Sequence, residues 1–282
     1  MRMRSLLFVP GDRADRMEKA LRSGADALIL DLEDAVAPSA KPEARRHVAE
    51  FLNAHGTAKL WVRINPLGTD EADKDLAAIL SSHPDGIVLP KAEGGASVAE
   101  LTRRLTERGN ATAQILAIAT ETPAAMFQLG TYGGFKRLAG LTWGAEDLPA
   151  AIGAATSREA DGRYTPPYEL ARSLCLFGAA AAGVAPIETV YPAFRDIDGL
   201  AAYAARARRD GFTGMMAIHP DQVPAINAAF TPSEADIAYA RAVVAAFEAQ
   251  PGAGALSLDG RMIDRPHLVQ AQRTLAAAAA AP

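Results

Sequence analysis

Two carboxylates stand side by side at Glu146 and Asp147, in "LTWGAEDLPAAIG" (141–153), where an apolar run stops at Gly144 and a small-residue helical pattern begins. The other short apolar runs end in polar residues too: Pro10-Gly11-Asp12-Arg13, Asp31 with Glu33 and Asp34, Arg63 with Asn65, Lys91 with Glu93, Glu121, Tyr191 and His219. A single polar exit marks only the start of solvent, whereas a set delivered to one face suggests chemistry. Glu121 and Asp147 follow neighbouring runs with no His or Cys beside them. Hard oxygen donors of this kind suit Mg2+, which is commonly held by one or two carboxylates with water and substrate completing its shell. Arg63 sits in the apolar frame "WVRIN". An unpaired charge there would be costly, so it requires a partner, and its planar fork matches a substrate carboxylate. A metal beside such an arginine can chelate a 2-oxo or 2-hydroxy acid and act as a Lewis acid during C–C cleavage. The backbone amides of Gly144, Ala145 and Glu146 open the next helix and are placed to bind the same anion.

Other constellations do not form. There is no G-x-S-x-G nucleophile elbow. The histidines at 47, 55, 83, 219 and 267 have no metal-ligand spacing; His47, His55 and His83 read as surface residues and His219 as structural. A glycosidase also uses two carboxylates, but at 6% aromatic residues the chain offers no platform for sugars. Cys175, the single cysteine, excludes an internal disulfide and a thiolate cluster; in "LARSLCLFGAAAAG" it reads as a buried structural thiol.

The elements that must position these residues are short apolar runs alternating with amphipathic segments. The runs fall at 5–9, 27–32, 59–64, 86–90, 114–120, 137–144, 185–191 and 214–219, and most are continuously apolar, as parallel strands buried on both faces are. Segments such as "RADRMEKALRSG", "KPEARRHVAEFLNAHG" and "VAELTRRLTERG" lie between them, with Gly24, Gly56 and Gly109 at their ends as C-terminal caps. Eight βα units within 230 residues predict an α/β fold, a (β/α)8 TIM barrel, whose chemistry sits at the C-terminal strand ends. No G-x-G-x-x-G follows the first run, which disfavours an open dinucleotide-binding sheet. The chain divides at residue 230. Residues 1–230 form the expected catalytic barrel and 231–282 a helical lid extension that packs on a barrel face or reaches a neighbouring subunit. In that extension a helix enters from Thr231-Pro232 or Ser233, "QPGAGALSLDGRMIDRP" is turn-rich, "HLVQAQRTL" is a last helix, and the alanine tail to Pro282 frays.

Composition narrows the classes further. Of 282 residues 49% are apolar and the net charge is −4, so no basic excess points to nucleic acid or an anionic membrane. The apolar stretch near the N-terminus is about four residues, short of the 7–15 of a signal peptide, and no run approaches the ~20 of a membrane span. A cytoplasmic protein is expected.

The motifs "LLFVPGDRADRMEKAL", "GADALILDLEDAV", "VRINP", "GIVLPKAE", "ETPAA", "GAEDLPAAIG" and "GFTGMMAIHPDQVPAINAAFTPSEAD", in this order, resemble the citrate lyase β-subunit-like proteins of the aldolase/citrate lyase superfamily. "LDGRMIDRPHLVQAQ" resembles the lid segment of the same proteins. The resemblance runs from about residue 4 to about 275. It implies a TIM barrel with Mg2+, assembled as a homotrimer or hexamer. It places Glu121 and Asp147 as metal ligands, Arg63 on the substrate carboxylate, and Asp264 as an acid/base presented across a subunit interface. Taken alone, Asp264 would be a helix N-cap before Pro266. The implied activity is a Mg2+-dependent carbon–carbon lyase acting on a 3-hydroxyacyl-CoA thioester of malyl, citramalyl or hydroxymethylglutaryl type, giving acetyl-CoA and an oxo acid. Alternatives are a citrate lyase β subunit acting on a citryl group carried by an acyl-carrier protein, a class II pyruvate-type aldolase, and a barrel kept as a scaffold. Arg13, Arg16 and Lys19 are candidate CoA contacts, against the plainer reading of a solvated helix face.

Overall fold

The apolar runs pair into a closed parallel barrel in a computed structural model that describes residues 3–279. Its strands are β1 (Ser5–Pro10), β2 (Ala27–Asp31), β3 (Leu60–Arg63), β4 (Gly86–Leu89), β5 (Gln114–Ile118), β6 (Leu138–Thr142), β7 (Ala185–Glu188) and β8 (Gly214–Ala217). Neighbours in sequence are neighbours in space, and β8 closes onto β1 with Met215 beside Ser5. Around the barrel run α1 (Ala14–Ala20), α2 (Lys41–Ala54), α3 (Asp70–Ile79), α4 (Gly95–Glu107), α5 (Pro123–Met126), α6 (Asp147–Ile152), α7 (Pro166–Ala182), α8 (Ile197–Asp210) and α9 (Val223–Ala229). The expected (β/α)8 barrel is the observed fold.

Each strand is apolar throughout because both of its faces are buried. Leu6, Ile29, Trp61, Val88, Leu116, Ile187 and Met216 pack together inside the barrel. The alternate residues Leu7, Leu28, Leu30, Val62 and Ile87 pack outward against the helices. A side-chain period of two then fixes what the next inward position presents. Two residues beyond Ile29 and Trp61 stand Asp31 and Arg63, paired in register across β2 and β3. Gly86 leaves room for the interior indole: a Cβ there would lie 2.3 Å from the Trp61 ring.

The C-terminal segment builds α10 (Glu234–Ala249), the antiparallel strands β9 (Ala255–Leu258) and β10 (Arg261–Asp264), and α11 (Arg265–Ala279). Ser233 is the N-cap of α10, in a capping box with Asp236. Ala240, Val243, Phe247, Ile263 and Ala271 form a small core of their own. The stretch expected to be turn-rich is in fact a hairpin. Its turn is Asp259-Gly260, at φ +51° and +75°, the left-handed pair that joins strands tightly. The fraying expected for the tail falls partly on residues 280–282, which lie outside the described residues. Cys175 is fully buried, and burial pushes its thiol pKa up. Among the described residues no helix is long and apolar enough to cross a membrane.

Candidate active site

Arg63, Glu121, Asp147, Gly144, Ala145 and Glu146 all line one cavity of about 280 Å³, with Phe8, Asp31, Ile118, Trp143 and Thr189 among its other walls. The cavity opens where β1, β2, β3, β5 and β6 end, as the strand-end argument expects. A larger cavity of about 930 Å³ lies beside α7 and α8 and holds none of these residues. Its Arg206 and Arg163 are already paired with Glu169 and Asp161.

Arg63 is held before any substrate arrives. Its Nε and Nη2 donate to Asp31 Oδ1 and Oδ2 at 2.7 and 2.6 Å, and Nη1 lies 2.9 Å from Glu33 Oε2. Asp31 is itself fixed by the backbone N–H groups of Glu33 (2.9 Å) and Ala35 (3.2 Å). The guanidinium also lies 4.8 Å from the Phe8 ring centroid, a cation–π contact beneath it. Burial works against the charge of Arg63, but Asp31, Glu33 and Asp34 outweigh it and hold its pKa above the ordinary value. Asp31 takes one edge of this five-donor fork and Glu33 stands beside Nη1, and the residue lines the cavity.

Glu121 is buried, 3% exposed, just beyond β5. The Lys91 backbone N–H donates to its Oε2 at 2.5 Å. Burial pushes its pKa up to about 8 against that hydrogen bond, with Glu33 and Asp147 pushing the same way. Asp147, the first residue of α6, lies 3.2 Å from Lys91 Nζ, which is also 2.8 Å from Glu33 Oε1. Glu33 is raised by burial, opposed by Arg63 and Lys91. Four buried or half-buried carboxylates (Asp31, Glu33, Glu121, Asp147) thus face two cations, Arg63 and Lys91. The donors that Glu121 and Asp147 offer are hard carboxylate oxygens, and a bound cation would favour the ionised form of Glu121 against its burial. The residues present fit Mg2+.

Gly144 is needed for this approach. A Cβ there would lie 2.5 Å from Glu121 Cγ and 3.3 Å from Ile118 Cγ2. The Gly144 N–H, expected to face a substrate anion, donates to Thr120 Oγ1 at 3.0 Å inside the chain. Helix α6 has six residues, too short to focus much field at its start. Ala145 is buried, whereas Glu146 is exposed at the rim.

Asp264 is not brought to this cavity. It ends β10 immediately before α11, and its Oδ1 lies 2.6 Å from His267 Nδ1. His219 is structural: Nδ1 accepts from the Asp221 N–H at 3.2 Å, and the ring stacks on Phe194. Arg13, Arg16 and Lys19 are exposed, with Arg13 and Lys19 facing Asp15.

Two features were not anticipated from sequence. Lys91 has left-handed backbone, φ +49°, and touches both Glu121 and Asp147. Trp143, a cavity wall, is anchored through its indole N–H to Glu188, a fully buried carboxylate that also accepts from Tyr203 Oη (3.0 Å) and Arg172 Nε (2.7 Å). An ionisable residue inside "APIETVY" is the available signal, since a glutamate in a buried strand must find donors.

The sequence profile of the HpcH/HpaI aldolase/citrate lyase family matches residues 4–220. A citrate lyase subunit beta-like protein of Mycobacterium tuberculosis (strain H37Rv) is 37% identical over 95% of this chain and 93% of its own length. A (3S)-malyl-CoA thioesterase of Cereibacter sphaeroides (strain KD131) is 34% identical over 98% and 95%. The crystal structure of M. tuberculosis CitE in complex with magnesium, acetoacetate and coenzyme A superposes with a TM-score of 0.83 at 35% identity, covering 99% of this chain and 98% of that one. A citrate lyase beta subunit from the same organism, complexed with oxaloacetate and magnesium, gives 0.72 at 35% identity, over 81% and 96%. By profile, by whole-length identity and by its closed barrel, this chain belongs to the HpcH/HpaI aldolase/citrate lyase family of lyases.

Proposed function

We propose that the chain is a Mg2+-dependent carbon–carbon lyase that cleaves a 3-hydroxyacyl-CoA thioester of malyl, citramalyl or hydroxymethylglutaryl type into acetyl-CoA and an oxo acid. The observation that carries this reading is the grouping of Glu121, Asp147 and Arg63 around one cavity of substrate-fragment size. Glu121 and Asp147 would hold the metal. When bound, Mg2+ supplies Lewis-acid stabilisation to the oxygen that gains charge as the C–C bond breaks.

The chain's own residues do the rest. Arg63, oriented by Asp31, would offer N–H groups that Asp31 does not take to the carboxylate of the acyl group, which fixes the bond to be broken. Trp143, Ile118 and Phe8 wall the cavity and exclude water from the forming enolate. The hydroxyl gives up its proton, the C–C electron pair moves to the thioester side, and the acetyl carbon is reprotonated. Asp264, supplied by a neighbouring subunit of a homotrimer or hexamer, would carry those protons. Residues 231–282 would then act as a lid over a barrel of residues 1–230, in a cytoplasmic enzyme.

A free CoA ester is supported by the related structure that holds coenzyme A and by the similarity to a (3S)-malyl-CoA thioesterase, a protein named for acting on such an ester. An acyl-carrier protein partner remains the rival, with a short-chain class II aldolase behind it. The test is a panel of malyl-, citramalyl- and hydroxymethylglutaryl-CoA with the isolated chain. Turnover of one free ester supports the proposal; turnover only with an acyl-carrier protein supports the rival. The Asp147→Ala variant should be folded and inactive.

A further inference from the structure

Lys91 reaches both carboxylates assigned above to the metal, and it does so by two different groups. Its backbone N–H donates to Glu121 Oε2 at 2.5 Å, and its ammonium lies 3.2 Å from Asp147 Oδ1. The same ammonium is 2.8 Å from Glu33 Oε1. To do this the residue adopts φ +49°, a left-handed conformation that disfavours any side chain and that glycine takes freely. An ordinary stabilising ion pair needs no such backbone. The side chain is also only partly buried, 32% exposed, so it has room to leave one partner.

We infer that Lys91 is a built-in counter-cation of the metal site: its ammonium holds Asp147 and Glu33 while no metal is bound, and yields Asp147 to the divalent cation. The inference rests on the reading of Glu121 and Asp147 as metal ligands. The lysine then acts in opposite directions on two quantities. It stabilises the metal-free chain by neutralising crowded carboxylates, and it weakens metal binding by competing for Asp147. Its retained contact with Glu33 keeps Glu33 from becoming an extra ligand.

The experiment compares the full-length wild type with Lys91→Gly and Lys91→Met, after chelation and dialysis. Mg2+ affinity is measured by calorimetry, and thermal unfolding is followed in EDTA and in saturating Mg2+. Lys91→Met keeps the stem and removes the ammonium, and Lys91→Gly keeps the left-handed backbone and the amide donor without a side chain. The expected result is Mg2+ binding about tenfold tighter in both variants, about 1.4 kcal/mol. The Lys91→Met midpoint in EDTA should fall below wild type, and the gap should narrow in saturating Mg2+. A purely structural lysine lowers the midpoint without tightening the metal; unchanged or weaker Mg2+ affinity in Lys91→Gly therefore overturns the inference. Absence of Mg2+ binding by the wild type is a separate result, which removes the metal reading and this inference with it.

Discussion

Replacing Gly144 with alanine tests whether the position of Glu121 is set by the loop after β6. The added Cβ would lie 2.5 Å from Glu121 Cγ and 3.3 Å from both Glu121 Cδ and Ile118 Cγ2. Carbon atoms pack comfortably at about 3.5–4.0 Å, so something must move by roughly 1 Å. The Gly144 backbone is tied to Thr120 and Ile118 is 5% exposed, so the flexible Glu121 side chain is the part that yields. Overpacking of this kind costs about 1–3 kcal/mol, which in a chain of this size lowers the unfolding midpoint by roughly 2–4 °C per kcal/mol. A reacting group displaced by about 1 Å can lose about 100-fold in rate. Gly144→Ala should therefore remain folded, lose about 100-fold in kcat, and bind Mg2+ more weakly. Wild-type kcat and Mg2+ affinity in a folded Gly144→Ala protein would refute the argument that the glycine makes room for a ligand.

Arg172→Met should cost about 3–5 kcal/mol in urea unfolding, because it leaves Glu188 charged and buried without its cation; adding Glu188→Gln should recover most of the loss. Asp236 is held low, at about 2, first by its hydrogen bond from Arg208 and then by the Ser233 backbone and hydroxyl. Its folded pKa lies below the ordinary carboxylate value, so its stabilisation is present above pH ~4 and is lost as pH falls through about 2. Because the pair is part-exposed, Asp236→Asn should cost at most about 1 kcal/mol at pH 7 and nothing below pH 2, read from denaturant midpoints. Asp264→Asn should lower turnover at least about 100-fold, as loss of a general acid–base group does, with Mg2+ affinity unchanged. Mixed assemblies of inactive Asp264→Asn and inactive Glu121→Gln subunits should regain activity; no recovery on mixing would place Asp264 outside a neighbour's site.

The barrel was legible because its strands are buried on both faces. The runs at 27–32 and 86–90 match β2 (Ala27–Asp31) and β4 (Gly86–Leu89) nearly to the residue, since nothing polar interrupts a strand until it leaves the core. The hairpin of β9 and β10 was less visible. Its strands have four residues each and Ile263 is their one buried residue, so only Asp259-Gly260 marks it. In the cavity, residue types and strand-end positions singled out Arg63, Glu121 and Asp147. They did not reveal which groups answer Arg63, because the Asp31–Arg63 pairing depends on the register between β2 and β3. Nor could spacing show that Thr120 satisfies the Gly144 amide, or that a left-handed Lys91 spans Glu121 and Asp147. Such contacts are made across strands, where sequence distance carries no information. Asp264 lies outside this cavity in the single chain, so the role proposed for it rests on the resemblance and not on spacing.

Whether a C–C bond or the thioester bond breaks is decided by the products. Purified chain would be incubated with the CoA ester it turns over, with Mg2+ or with EDTA, and acetyl-CoA, oxo acid and free CoA thiol would be counted against ester consumed. One acetyl-CoA and one oxo acid per ester are expected, with no free thiol and no reaction in EDTA or with Asp147→Ala. Release of free CoA with the hydroxy acid intact would mean that the thioester bond breaks instead, and would contradict the proposed C–C cleavage.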